Sequence, residues 1–320
     1  MSKNPFEADL SSKQRHEALE ASVGAAVRAA VATAASSSNG RLAANAGGVL
    51  FADDVAGIMD RFGLARVDDV MLLGLGVAQT IARPPISGFR VGAIGLETET
   101  GHLLLGGNVE FPGTHLSYTL HGETFVLTRA FSRGTTIGRI ALGEAHPCAH
   151  CRQYLSEFAR GPQLELIDPL GHRLTLEQLY PWPFDSRYLG HSGISPGACN
   201  FPRLTPAAEA TASPVMEALL AAGRRAHAPY SSCPGAVVLQ MADGGLIAGA
   251  SIENVAFNPT MGPLQAALVD LIAHGYGFGE IIGATLGTVA GGAVDYAAST
   301  RELLGAVAPG AVLDIIDWRP

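Results

Sequence analysis

The sequence predicts an α/β domain that occurs twice behind a helical N-terminal extension. Three observations carry this. Strand and helix signals alternate across residues 66–187, short segments recur after a Pro-, Gly- and Ser-rich stretch, and an Ala-rich run precedes the first copy. The chain has 320 residues, more than one hydrophobic core usually serves. Apolar residues make up 48% and charged residues 16%, enough to bury a sizeable core and unlike a disordered composition.

Residues 1–65 form the predicted helical extension. Ser11 to Ala35 is rich in helix formers and is broken by Ser36-Ser37-Ser38-Asn39-Gly40. A second helical stretch, Val49 to Phe62, carries Asp53 and Asp54 near its start and a glycine after its end, as helix termini prefer. Residues 66–187 form the predicted catalytic domain. Within it Phe89–Ile94 and His102–Gly106 read as neighbouring strands, Glu123–Phe131 as a helix, Arg139–Leu142 as a short strand and Cys148–Phe158 as a second helix. Residues 188–214 have little periodicity and read as a linker. Residues 215–320 form the second copy.

The duplication rests on recurring segments. Pro85-Ile86-Ser87 returns as Pro229-Tyr230-Ser231, Gly92-Ala93-Ile94 loosely as Gly235-Ala236-Val237, and Asn108-Val109-Glu110-Phe111 as Asn254-Val255-Ala256-Phe257. The second copy has Gln265-Ala266-Ala267, or its neighbours, where the first has His121-Gly122-Glu123, and no cysteine follows Cys233. It is therefore expected to keep the fold and to lack the chemistry.

The formal charge of −8 argues against a polyanion partner, which needs a basic stripe, and points to a small-molecule substrate. No apolar run in the sequence reaches a membrane span: Val23–Ala35 is too short and contains Arg28. Met1–Ala21 mixes both charge signs and lacks the order of a signal peptide. Four cysteines in a chain of this size do not make a disulfide framework. A cytoplasmic protein is expected.

The chemistry lies in His121-Gly122-Glu123 and Pro147-Cys148-Ala149-His150-Cys151. A histidine and two cysteines fill three corners of a zinc tetrahedron, and a catalytic zinc keeps the fourth for water. Glu123 is then a carboxylate beside that corner, placed to move protons. Cys148 and Cys151, three apart at a helix start, face the same way, and the helix terminus favours thiolates. Arg152 is placed to temper their charge. A structural zinc would want a fourth protein ligand, for which His146 and His150 stand nearby. Glu123 argues against that alternative, since a structural site has no use for it.

With Arg152 and Gln153, these motifs resemble cytidine deaminase, in the homodimeric class that pairs an active repeat with a degenerate one. The resemblance spans roughly residues 15–318. It implies an α/β/α sandwich around a mixed sheet, duplicated, with one Zn²⁺ per chain on His121, Cys148 and Cys151 and with Glu123 as the catalytic acid/base. It also implies a nucleoside substrate: Asn108-Val109-Glu110 matches the ribose-binding Asn-x-Glu, Phe89 and Phe184 match aromatics at the pyrimidine ring, and Gly122 would lie against the base. The implied reaction is zinc-dependent hydrolysis of cytidine and deoxycytidine to uridine and deoxyuridine in pyrimidine salvage. In this family the Asn254–Phe257 region of the degenerate copy approaches the partner's active site. Gly122 and Ala149 depart from the family's usual Ala and Gly, without removing a ligand. The rivals are a polynucleotide deaminase, a deaminase of modified cytosine nucleosides, and a zinc-containing binding protein whose chemistry has lapsed. No nucleic-acid or membrane partner is expected.

Overall fold

A computed structural model describes residues 4–37, 48–143, 146–158, 161–207 and 211–320. The chain opens with helices α1 (Leu10–Leu19) and α2 (Ala25–Ser37), joined by a π-helical turn at Glu20–Gly24. Of the Ser- and Asn-rich break expected after Ala35, Ser38–Gly40 lie outside the described residues. The joined rod is longer than the apolar run read from the sequence. Over Leu10–Ala35 it is long and apolar enough, by length and composition, to cross a membrane. Its apolar stripe is nonetheless used inside the protein: Val27 and Val31 are fully buried in a cluster with Val70, Leu73 and Ile94.

Val49–Phe62 is not one helix. Val49 and Leu50 form strand β1, and α3 (Ala52–Phe62) starts only after Phe51. Both β1 residues are buried and pair with an edge of the first sheet, where an apolar, partly β-branched pair fits better than in a helix start. Asp53 and Asp54 do occupy the first turn of α3, and Gly63 closes it at φ 63, a left-handed position that favours glycine.

Next come α4 (Val67–Ala78), β2 (Gly92–Glu97), β3 (Leu103–Gly107), α5 (Gly122–Arg133), β4 (Ile137–Leu142), α6 (Ala149–Ser156), β5 (Glu165–Ile167), β6 (Arg173–Thr175) and the short α7 (Leu176–Leu179). The strands form a mixed sheet in the order β1-β3-β2-β4-β5-β6, in which β4 and β5 are parallel and the other pairs antiparallel. Alternation along the strands divides the core. Ala93, Leu104, Ile140, Leu142 and Leu166 face α5, whereas Ile94, Leu103, Leu105, Ala141 and Ile167 face α2 and α4.

The second half contains β7 (Thr205–Pro206), α8 (Pro214–Arg225), β8 (Ala236–Met241), β9 (Leu246–Ala250), α9 (Pro263–Ala273), β10 (Ile281–Val289), α10 (Tyr296–Val307) and β11 (Val312–Arg319). Its sheet runs β7-β11-β10-β8-β9, with β10 and β11 parallel. The pattern repeats the first domain, with α8 and α9 on opposite faces as α4 and α5 are. The segment read as a linker is partly built into the fold. Ile194 and Leu204 are buried, Ile194 N donates to Glu157 O, and β7 is an edge strand against β11. α5 packs on α9, and one apolar cluster runs through both domains.

The repeat registers differently from the sequence match. Val109 pairs with Leu120 just as Ile252 pairs with Met261. Glu110 accepts bonds from Ile86 N, Ser87 N and Ser87 Oγ, and Glu253 accepts the same set from Tyr230 N, Ser231 N and Ser231 Oγ. The counterpart of Asn108-Val109-Glu110 is therefore Ser251-Ile252-Glu253, three residues before the Asn254 segment. Likewise Val91 N bonds the Asn108 side chain and Gly235 N that of Ser251, so Val91 matches Gly235 and the glycine echo is displaced by one. α9 has Gly262 at its cap, then Pro263 and Leu264. Those three residues, rather than Gln265–Ala267, stand where His121-Gly122-Glu123 stands.

Candidate active site

Two helix starts build the site. His121 is the N-cap of α5, and its backbone N–H is held by Thr124 Oγ1 at 3.1 Å. This fixes the imidazole at the helix mouth, with Gly122 and Glu123 as the first two helical residues. Cys148 is the N-cap of α6, and its sulfur accepts from Cys151 N at 3.5 Å. One helical turn thus brings both sulfurs to the same end, beside α5. The local sequence explains the placement: Cys148 does the capping work of Ser or Asp with its sulfur, while Thr124 holds the His121 backbone and leaves the imidazole free to face the sulfurs.

The three donor atoms form a compact triangle. His121 Nδ1 lies 3.2 Å from Cys151 Sγ and 3.6 Å from Cys148 Sγ, and the two sulfurs are 3.6 Å apart. Zinc–sulfur bonds of about 2.3 Å at tetrahedral angles put two sulfurs about 3.8 Å apart, so the residues fit the ion. Among the described residues no fourth His, Cys, Asp or Glu joins this group. His146 groups instead with Asp168 and His172. His150 is exposed beside the first turn of α6.

The electrostatics suit a cation. Hydrogen bonding from Cys151 and His121 pulls the Cys148 thiol down to about 3. The Cys151 thiol is pushed up, chiefly by the neighbouring Cys148 sulfur and then by burial. A divalent ion would take both sulfurs as thiolates. The Cys148 sulfur also raises the His121 imidazole. Burial raises the Glu123 carboxyl. Glu123 is only 4% exposed. Arg152 does not reach the sulfurs; it donates to Pro147 O and Leu179 O, tying the loop before α6 to the end of α7.

A cavity of about 310 Å³ opens above the triangle, lined by Ser87, Phe89, Val91, Asn108, Glu110, Thr119, His121, Gly122, Glu123, His146 and Cys148. That volume suits a small ligand. Asn108 is buried, its Oδ1 accepting from Val91 N and its Nδ2 donating to Phe89 O, both at 2.9 Å. These bonds keep Phe89–Val91 out of β2, which was expected to begin at Phe89, and shape the cavity wall. Burial by itself would raise Glu110, but the bonds from Ser87 and Ile86 hold it below the ordinary carboxylate value.

Three of the residues picked from the sequence are placed elsewhere than the cavity wall. Val109 is fully buried, exchanging backbone bonds with Leu120 and so fixing the residue before His121. Cys151 is buried behind Cys148. Phe184 stacks on Tyr188 with ring centroids 5.7 Å apart, and Gln153 clasps its backbone. Ser87 was missed as a lining residue. The Pro-x-Ser shared by both halves was its signal, because both serines bond the matching glutamate. Gln153 and Glu157 were also missed as links. Asn254 Nδ2 donates to Gln153 O, and Val255 N donates to the buried Glu157, which also accepts from Tyr230. The second domain thus grips the far end of the helix that carries the thiols. In that domain the matching position is filled, since the Tyr296 ring lies against Gly235, the counterpart of Val91.

A His, Cys, Cys grouping able to hold zinc, with a buried carboxylate beside it on a duplicated α/β fold, matches the class of zinc deaminase domains. The family model for the cytidine and deoxycytidylate deaminase zinc-binding region matches residues 66–162, and a second such model matches residues 198–301. A cytidine deaminase of Vibrio atlanticus is 34% identical over 84% of this chain and 89% of its own length. Cytidine deaminase 6 of Arabidopsis thaliana is 34% identical over 72% of this chain and 86% of its own. Among solved structures, cytidine deaminase from Mycobacterium leprae is 28% identical over 36% of this chain and 97% of its own, with a TM-score of 0.32. The chain belongs to the cytidine deaminase family.

Proposed function

We propose that this chain deaminates cytidine and deoxycytidine hydrolytically, giving uridine and deoxyuridine, and serves pyrimidine salvage in the cytoplasm. The observation that carries the reading is Glu123, a buried carboxylate lining one cavity together with His121 and Cys148 of the donor triangle and with Asn108 and Glu110. Zinc held by His121 Nδ1 and the two sulfurs would supply a Lewis acid that lowers the pKa of water from 15.7 towards about 7. Glu123 takes a proton from the attacking water and delivers it to the ring nitrogen beside the amino-bearing carbon. The C–O bond forms, the same carboxylate carries the proton of the new hydroxyl to the amino group, and the C–N bond breaks to release ammonia as that oxygen becomes the carbonyl.

Asn108 and Glu110 face the sugar in this reading. Glu110, ionised and braced by Ser87 and Ile86, accepts from a ribose hydroxyl. A 3′ phosphate would meet that carboxylate, which favours a free nucleoside over a polynucleotide. Phe89, 53% exposed at the mouth, flanks the base, and Gly122 lies beneath it. Phe184 contributes from the rim or through a second copy. A homodimer agrees with the exposed aromatics Trp182, Phe184, Tyr188 and Phe257, a set rarely left in water without use.

The deciding experiment follows the ultraviolet absorbance of cytidine, and separately deoxycytidine, with zinc-loaded protein and with Glu123→Ala. Loss of absorbance with ammonia release, absent in the variant, is expected. No change with folded, zinc-loaded protein would overturn the reading.

A further inference from the structure

A second donor cluster lies at the rim of the cavity, outside the zinc triangle. The turn between β5 and β6 presents Asp168 and His172, and His146 meets them from the segment before Cys148. Asp168 is 7% exposed. Its Oδ1 is taken by the turn itself, accepting from Leu170 N at 2.9 Å and His172 N at 3.0 Å. Its Oδ2 is thereby aimed between two imidazoles, 2.7 Å from His172 Nδ1 and 3.6 Å from His146 Nε2. The rings stand edge to face with centroids 5.6 Å apart. One donor atom from each of the three residues lies within 4.8 Å of the others.

We propose that His146, Asp168 and His172 form a second site for a first-row divalent transition ion. Two imidazoles and a carboxylate suit Zn²⁺, Ni²⁺ or Co²⁺, whereas Mg²⁺ and Ca²⁺ prefer oxygen donors throughout. Nitrogen and oxygen ligands about 2.0–2.2 Å from such an ion stand about 3.4 Å apart in a tetrahedron, so the Asp168–His172 bond at 2.7 Å must open while the two imidazoles draw together. The His146 side chain, 52% exposed, has the room to do so. Asp168 is already oriented by the bonds from Leu170 N and His172 N, as hydrogen bonds to a ligating carboxylate orient it. The ion would tie the segment carrying Cys148 to the β5–β6 turn and fix His146, which also lines the catalytic cavity.

The test uses tag-free, zinc-loaded protein dialysed against a small excess of Ni²⁺, followed by metal analysis of the protein. One nickel per chain is expected in addition to a full complement of zinc. His172→Ala should lose the nickel while keeping its zinc and its turnover. Titration with Co²⁺ should give no thiolate-to-cobalt charge-transfer band, because this site has no sulfur. No nickel on the parent protein, equal nickel on His172→Ala, or nickel gained only as zinc is lost would each overturn the proposal.

Discussion

Arg129 on α5 and Asp270 on α9 form a buried ion pair at 2.8 Å, with side chains 1% and 9% exposed. They are 141 positions apart, the same offset that separates Leu120 from Met261, the matched bridge residues before the two helices. The pair thus joins equivalent positions of the two repeats, one basic and one acidic, across the contact between α5 and α9. Duplication followed by opposite charges at one position turns a self-contact into a specific one.

Removing Asp270 takes a charged partner from the buried Arg129. Asp270→Ala is expected to cost roughly 3–5 kcal/mol, read as a lower midpoint in denaturant. Arg129→Met with Asp270→Leu together should recover most of it, because a well-packed apolar pair avoids the desolvation cost. A double variant as unstable as the single one would mean that the pair is not the source of the stability.

The metal should matter far more for activity than for the fold. The caps at His121 and Cys148 are made by protein atoms, and the apolar cluster runs through both domains without the site. A chelator, or Cys151→Ser, should therefore abolish deamination while far-UV circular dichroism stays close to that of the parent. Zinc should restore the chelated parent but not Cys151→Ser. Wholesale unfolding on chelation would show that the zinc is structural.

Much of this was legible in the sequence. The His121, Cys148 and Cys151 grouping and the burial of Glu123 beside it have strong local signals, since their spacing is set by helix starts. The repeat was legible but its register was not. Asn254-Val255-x-Phe257 looks like Asn108-Val109-x-Phe111, yet the register follows backbone ladders and the serine–glutamate bond, which letters do not display. Ser251-Ile252-Glu253 shares with its counterpart only Glu253. Val49–Leu50 reads as helical in the sequence because its role depends on pairing with β3, more than fifty residues away. The Gln153 and Glu157 links are long-range and leave no periodic trace.

Glu110 gives a specificity prediction. It carries the charged acceptor in the cavity, braced by Ser87 Oγ at 2.5 Å and two backbone donors. Replacing a hydrogen bond to a charged group costs about 1.5–3 kcal/mol. Glu110→Gln should therefore lower kcat/KM for cytidine roughly 10- to 100-fold. The same variant should discriminate far less between cytidine and an analogue lacking the 3′ hydroxyl. Equal discrimination before and after the change would move the sugar contact elsewhere.

Glu97 gives the pH prediction. It is 1% exposed at the end of β2, accepting from Arg133 Nε at 2.6 Å, Thr100 Oγ1 at 2.6 Å and Thr135 Oγ1 at 2.6 Å. Burial raises its carboxyl, but Arg133 and the two threonines outweigh it, so the folded value lies below the ordinary 4.5. A depressed carboxylate contributes stability that is fully present above the unfolded value and is lost as pH falls through the folded one. The Tm gap between the parent and Glu97→Gln should thus be constant from pH 7 to about 5 and close progressively below 4.5. Other carboxylates titrate in the same range, which is why the difference between the two proteins is the measurement, not either curve alone. A gap unchanged down to pH 3 would show that Glu97 acts through packing and not through its charge.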